Sequence, residues 1–358
     1  MPSLKEIKGR INSISSTLAI TSAMKMVAAA KLQKAQMAIQ NMLPYERRLH
    51  SMLIDLMGAM NISAAASEDG SVRGSGSAER GFDQSGDRLS LSNRHDLAGM
   101  DGAYSLMAQR EVRKVAIVAF ASNSSLCGAF NSNAIREATA VINEYRASGL
   151  GDADITVYSV GRKMAEAMKK LGFPSPADFT KMSDSPSYDA ASALAQELFD
   201  GFVSGRFDKV ELVYNHYKST SSQPTTRQTY LPLSLADATA DLQAGKITDS
   251  ASESDTNRGA EPVGAPVVRQ GSPTTEDLIV EPSKEALIAT LLPKVIRLRI
   301  FTTLLDSAAA EHAARTVAMQ LATDNGNDLL QELTLEYNKG RQQKITSEIL
   351  DLVGGSMQ

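Results

Sequence analysis

The sequence predicts an α/β protein: a long antiparallel coiled coil of N- and C-terminal helices with an inserted Rossmann-like α/β domain. Three features carry that expectation. The stretch from about Lys284 to Val353 holds one proline, Pro293, and is rich in the strong helix formers Leu, Ala, Gln, Glu and Lys. Residues 4–42 carry a seven-residue repeat. Between these ends, short β-branched runs alternate with helical segments, the pattern of a parallel α/β layer.

The repeat at the N-terminus runs Leu4, Ile7, Ile11, Ile14, Leu18, Thr21, Lys25, Ala28, Leu32, Ala35, Ile39, Met42, in steps of three and four. That spacing is the signature of a coiled-coil seam. Its first five positions are Leu or Ile, and after them the seam turns small and polar. Ser3 followed by Glu6 makes a capping box at the start, and only Pro44 interrupts before about Met60. The C-terminal stretch, taken as one helix of ~70 residues, spans about 105 Å at ~1.5 Å per residue. A rod of that length packs against another long helix or a partner. Its seam is expected at Leu335, Ile345, Ile349 and Leu352. Its middle, Asp324–Gln331, places Asp, Asn and Gly where a seam wants Leu.

Residues 61–110, rich in Ser, Gly, Asp and Arg, bury too little apolar surface to order themselves, apart from short pieces near Leu97–Met107. Lys114–Phe120 (KVAIVAF) and Ile155–Val160 (ITVYSV) read as strands, with helices at Asn131–Ala147, Arg162–Leu171 and Tyr188–Val203. Lys209–Lys218 and Thr225–Leu233 read as two further strands joined by a hairpin at Ser219–Pro224. The chain thus divides into an N-terminal coiled-coil helix at 1–60, a low-complexity insertion at 61–110, a Rossmann-like α/β domain at 111–235, an acidic mobile loop at 236–277 and a C-terminal coiled-coil helix at 278–358.

The chain has 358 residues, a formal charge of −4 and one cysteine, Cys127, which excludes an internal disulfide. No apolar run reaches the ~18 residues of a membrane span, and the sequence opens in a helix without a signal-peptide apolar block. A soluble or peripheral protein of bacterial type in a reducing compartment is expected. Charge is uneven: residues 1–50 carry eight Lys and Arg against two Glu, and residues 237–277 carry eight acids against three bases. A basic helix faces nucleic acid, anionic lipid or an acidic protein surface, or is simply a solvated face.

The loop after the first strand, ASNSSLCG at 121–128, has only Gly128 and matches neither GxGxxG nor GxxxxGK[ST]. A phosphate cradle needs the close-approach glycines or the lysine that are missing. Cys127 lies near a helix start, where thiolate is favoured, but His50, His95, His216 and His312 show no catalytic motif. A small, half-buried thiol is the plainer reading. His312 has Thr316, no metal ligand, one turn on, so a helix-surface histidine is expected. Glu311 and Arg315 make an i,i+4 pair worth about 0.3–0.5 kcal/mol. Met24, Met26, Met37, Met42, Met52, Met57 and Met60 are either filler along a seam or a surface that repacks against changing partners.

Residues 21–32 (TSAMKMVAAAKL) and 322–342 (ATDNGNDLLQELTLEYNKGRQ) resemble the two signature stretches of the gamma subunit of the rotary proton-translocating ATP synthase. LCGAFNSN at 126–133, LVYN at 212–215 and EHAAR at 311–315 are also similar to that family, and the order is preserved. The resemblance covers about 1–60, 112–235 and 275–358. It implies a non-catalytic rotor shaft that enters a ring of alpha and beta subunits. The α/β domain rests with the epsilon subunit on the ring of c subunits, on the cytoplasmic side of the bacterial plasma membrane. Proton flow turns the shaft and drives each beta subunit through its binding states. Catalytic nucleotide and magnesium belong to beta, so the resemblance implies no catalytic, cofactor or metal residue and no nucleic acid here. It places contacts with beta at Met24, Lys25, Arg341 and Gln342, with the basic Lys25 and Arg47/Arg48 side meeting acidic lever segments of beta. Two departures stand out. Asn123, Ser124 and Ser125 replace the family's usual Asp-Arg-Gly, removing an arginine contact with beta. The tracts 61–110 and 237–277 are long and lack the dithiol of plant-plastid relatives. Two other classes compete: a coiled-coil scaffold, which self-associates, and a nucleotide-binding enzyme, which binds nucleotide alone.

Overall fold

A computed structural model describes residues 3–68, 106, 110–233 and 284–356. The expectations for most of 69–109 and for 234–283 lie outside the described residues. Two helices dominate: α1, Leu4–Glu68, and α6, Lys284–Ser356. α1 runs past the expected end near Met60. Pro44 and Pro293 each sit inside a helix that continues through them. Ser3 caps α1, its Oγ accepting the Glu6 N–H at 3.2 Å. Only that half of the capping box forms, because the Glu6 carboxylate takes Arg10 Nη2 at 2.9 Å instead.

The two helices pair antiparallel, and the N-terminal seam lies where the repeat puts it. All twelve positions from Leu4 to Met42 are buried or half-buried, and the residues between them are mostly exposed. The seam of α6 differs from the expectation. Leu335, Ile345, Ile349 and Leu352 are exposed. The residues that face α1 are Met319, Thr323, Gly326, Leu330, Leu333, Tyr337 and Gly340. Gly326 lies against Leu18 and Gly340 against Leu4, and Thr323 Oγ1 donates to Thr21 Oγ1 at 3.2 Å. The supposed gap at Asp324–Gln331 is therefore part of the seam. Leucines of α1 supply the bulk, and glycines of α6 supply the room. Leu32 packs on Ala309 and Ala313, and Thr302 Oγ1 donates to Glu46 Oε1 at 3.0 Å.

Between the rods, a four-stranded sheet has the order β2-β1-β3-β4. Its strands are β1 (Val115–Phe120), β2 (Ile155–Val160), β3 (Lys209–Asn215) and β4 (Thr225–Leu231). β1 pairs parallel with β2 and β3, while β4 returns antiparallel on β3. One face is covered by α2 (Phe130–Ala147) and α3 (Arg162–Lys170). The other carries the main core, in which α5 (Tyr188–Val203) and α6 from Ile288 to Leu304 pack with Leu49, Leu53 and Leu56 of α1. A short α4, Thr180–Asp184, was not legible in the sequence. Leu106 also lies in this core, and its carbonyl accepts the Leu233 N–H at 2.9 Å. Gly161, at the β2–α3 turn with φ +97°, lies where a Cβ would come 2.0 Å from the Ala121 carbonyl oxygen. No side chain fits there.

Candidate functional site

In an open parallel sheet, the ligand crevice lies beyond the carboxyl ends of the strands, where neighbouring crossovers leave on opposite faces. Here that place is the end of β1, between β2 and β3. It is filled by α6. Leu304, Ser307, Ala308 and Glu311 close over Phe120, Ala121, Val160 and Ser183, leaving a cavity of about 10 Å³. That volume holds at most about one water.

The contacts around this plug are polar and buried. Glu311 and Arg315 pair at 2.7 Å with side chains only 9% and 12% exposed, and Arg315 Nη2 donates to Ser124 Oγ at 2.7 Å. The expected surface pair is thus a buried tie between α6 and the β1–α2 loop, because the sheet covers this turn of helix. Burial pushes the Glu311 carboxyl above its ordinary range, with Arg315 opposing it. His312 is not a plain surface histidine. Its Nδ1 is buried without a hydrogen-bond partner among the described residues. Burial, then Arg315 and Lys31, pushes it down to about 4, so it stays neutral. Cys127 is fully buried rather than half-buried. Its Sγ lies 3.1 Å from Asn131 Nδ2, in a turn where Asn131 Oδ1 accepts the Ser122 N–H at 3.0 Å. Among the described residues, no group of three His, Cys, Asp or Glu side chains is placed to hold a metal.

A second buried charge sits on the other face. Glu211, with its side chain 2% exposed, accepts from Tyr145 Oη at 2.6 Å, Lys209 Nζ at 2.6 Å and Arg227 Nε at 2.7 Å. Burial pushes this carboxyl up, and the hydrogen bonds from Arg227, Lys209 and Tyr145 outweigh it, so the net shift is downward. This cluster ties β3, β4 and α2 together.

The four residues expected to touch a partner form two separate stations. Met24 and Lys25 are half-buried on α1 beside the Thr21–Thr323 contact. Lys25 lines an open groove of about 340 Å³ with Thr220, Thr316, Val317, Gln320, Leu321 and Asp324, and Met26, Val27 and Leu321 nearby are exposed. Arg341 and Gln342 lie about 27 Å further along the rod, at ~1.5 Å per residue. They are the first two residues beyond the Gly340–Leu4 contact, and both are exposed. Every described side chain from Arg341 to Val353 is exposed, so α6 outruns its partner helix by more than three turns. Gln36, Tyr217 and Asp306, which join the domain to both rods, carry no sequence motif. They are remote in sequence, and no spacing links them.

The family model described as ATP synthase matches residues 3–357. The chain is 47% identical over 357 residues to the ATP synthase gamma chain of Phocaeicola vulgatus, covering 100% of both. It is 35% identical over 356 residues to that of Flavobacterium psychrophilum, covering 99% of this chain and 98% of the relative. Its fold is similar to a chain in the cryo-EM structure of Euglena gracilis mitochondrial ATP synthase, OSCP/F1/c-ring, rotational state 3, with TM-score 0.52, 18% identity, and 99% of this chain and 93% of that chain covered.

Proposed function

Given that the chain belongs to the ATP synthase gamma-chain family and is the central-stalk rotor subunit, we propose that it is a non-catalytic shaft touching the head at two stations, Met24/Lys25 and Arg341/Gln342. Its partners in this reading are the alpha and beta subunits around the rods, and the epsilon subunit and c ring at the α/β domain. It sits peripherally on the cytoplasmic side of the bacterial inner membrane. Among the described residues no helix is long and apolar enough to cross a membrane.

One observation carries the two-station reading. Among the described residues, α6 continues without a packing partner past Leu4, with Arg341, Gln342, Ile345, Ile349, Leu350 and Leu352 all exposed. A lone amphipathic helix with that much apolar surface needs a covering partner. At the lower station, Lys25 beside a groove containing Val317 and Leu321 offers a cation and an apolar floor to an acidic lever segment. A charge-assisted contact there contributes about 1.5–3 kcal/mol.

The test is reconstitution of the whole complex in vesicles, measuring ATP hydrolysis, proton pumping and assembly together. Arg341→Ala and Lys25→Ala are each expected to lower protons pumped per ATP hydrolysed while leaving the amount of assembled complex unchanged. Unaltered pumping, or pumping and assembly falling by the same factor, removes the coupling role.

A further inference from the structure

The β3–β4 hairpin carries a contact that reaches both rods at once. Just past β3, the Asp306 carboxylate of α6 accepts the Tyr217 N–H at 2.9 Å and sits 2.6 Å from His216 Nδ1. The Tyr217 hydroxyl accepts from Gln36 Nε2 of α1 at 2.6 Å. The Tyr217 ring packs against two small clusters. One is Leu32 with Ala309 and Ala313; the other is Cys127 and Phe130 with Ala310. One residue of the domain is therefore hydrogen-bonded to α6 through its backbone and to α1 through its side chain, with its ring wedged between them.

We propose that Tyr217 is a positioning residue that pins α1 in rotational register with α6 and the α/β domain, and so sets how much of the shaft is free to twist. The rods are gripped at their base by the main core, where Leu49, Leu53 and Leu56 are buried. Among the described residues, Tyr217–Gln36 is the domain-to-α1 hydrogen bond nearest the tip. With the pin in place, the free length of α1 runs from Gln36 to Leu4, about 48 Å; without it, the free length runs from Met42, which packs against the main core, to Leu4, about 57 Å, both at ~1.5 Å per residue. The torsional stiffness of a rod varies inversely with its free length. Releasing the pin therefore lowers stiffness by about 15%, from the ratio of those two lengths.

The experiment uses the assembled complex, held at one catalytic dwell by a slowly hydrolysed nucleotide, with a bead or gold rod on the α/β domain. Angular fluctuation of the probe reports stiffness. Tyr217→Phe keeps the ring and loses the hydroxyl, and Gln36→Leu loses the other partner. Both are expected to widen the fluctuation, toward the limit set by a stiffness about 15% lower. Gln36→Glu, which accepts from the Tyr217 hydroxyl, is expected to restore the wild-type width. A purely structural role would lower the thermal midpoint of the chain and leave the width unchanged. That result, or failure of Gln36→Glu to restore the width, overturns the proposal.

Discussion

Gly326 gives the sharpest test of how the shaft is built. A Cβ on Gly326 would lie 2.6 Å from Leu18 Cδ2 and 3.2 Å from its Cγ. Alanine there raises helix propensity by about 1 kcal/mol. It also pushes Leu18 off its rotamer at a cost of about 0.5–1.5 kcal/mol, so Gly326→Ala should be close to neutral. Valine adds two γ methyls to a space already occupied. Overpacking then costs about 1–3 kcal/mol, and the branched side chain gives back part of the propensity gain. Gly326→Val should destabilise the chain by about 2 kcal/mol, equivalent to about 3 °C in Tm for a chain of this size. Thermal unfolding by far-ultraviolet circular dichroism measures it, since the rods hold most of the helix. Leu18→Ala added to Gly326→Val should recover most of the loss, because the methyls then fill the vacated space. Gly340 is the control. Its Cβ would meet only Leu4 Cδ2, at 3.1 Å in the first turn of α1, where the side chain has room to give. Gly340→Ala should therefore raise Tm. A Gly326→Val chain that melts at or above the wild type, with no recovery in the double variant, refutes the packing argument.

Three further outcomes follow from the charged clusters. Glu211→Gln turns an acceptor toward Arg227 into a donor, leaves Lys209 without a countercharge and leaves Arg227 with only the exposed Glu144. Breaking a buried pair costs about 3–5 kcal/mol; both cations are 27% exposed, so the lower end is expected in a denaturant melt. The folded pKa of Glu211 is depressed below 4.5, so its contribution is complete above that value and is lost as pH falls through the lower folded one. Glu211→Gln should remove that part of the acid slope. Hydrogen bonding to Asp306 raises His216 above 6.5, with burial opposing. Its contribution is full below 6.5 and disappears as pH rises through the folded pKa, so Asp306→Asn should flatten the change in Tm between about pH 6 and 8. Arg315→Met strands Glu311 in a buried site, which should lower Tm sharply and raise the Glu311 pKa further, readable in an acid titration followed by carboxyl infrared bands.

The parts of the fold that were legible are those in which one element carries its own signal. The α1 seam is a single stripe of Leu, Ile, Ala and Met, so its periodicity predicts which residues are buried. The β1 and β2 runs are continuous and β-branched, as strands covered on both faces must be. The α6 seam departs from the apolar spacing because a glycine contributes nothing to a periodicity. Gly326 and Gly340 become seam residues only when Leu18 and Leu4 are placed opposite them, and that register depends on two helices about 300 residues apart in sequence. Leu335 and Ile349 show the converse, apolar residues with helical spacing that nothing among the described residues covers. Glu311–Arg315 shows a similar limit. An i,i+4 spacing is the same on a wet face and under a sheet, and only the sheet makes the pair expensive to break. Met24, Lys25, Arg341 and Gln342, the proposed contacts with beta, rest on the resemblance alone, since a residue that meets another chain has no intrinsic pattern in its own.

The plugged crevice connects the fold to its use. A parallel sheet of this order offers a ligand site at the end of β1, and here about two turns of α6, Leu304 to Glu311, occupy it. The same turns lie between the main core and the Ala309–Leu32 contact with α1. Emptying the crevice for a nucleotide would therefore pull the shaft off its domain. The buried Arg315–Glu311 pair and the Ser124 contact hold those turns in place at the cost of desolvating a charge. A chain that needed only a stable core would do as well with apolar residues there. A chain that carries torque through the joint benefits from directional contacts that resist sliding of the helix along the sheet, because a hydrogen bond has a preferred length and angle, whereas the hydrophobic effect is non-directional.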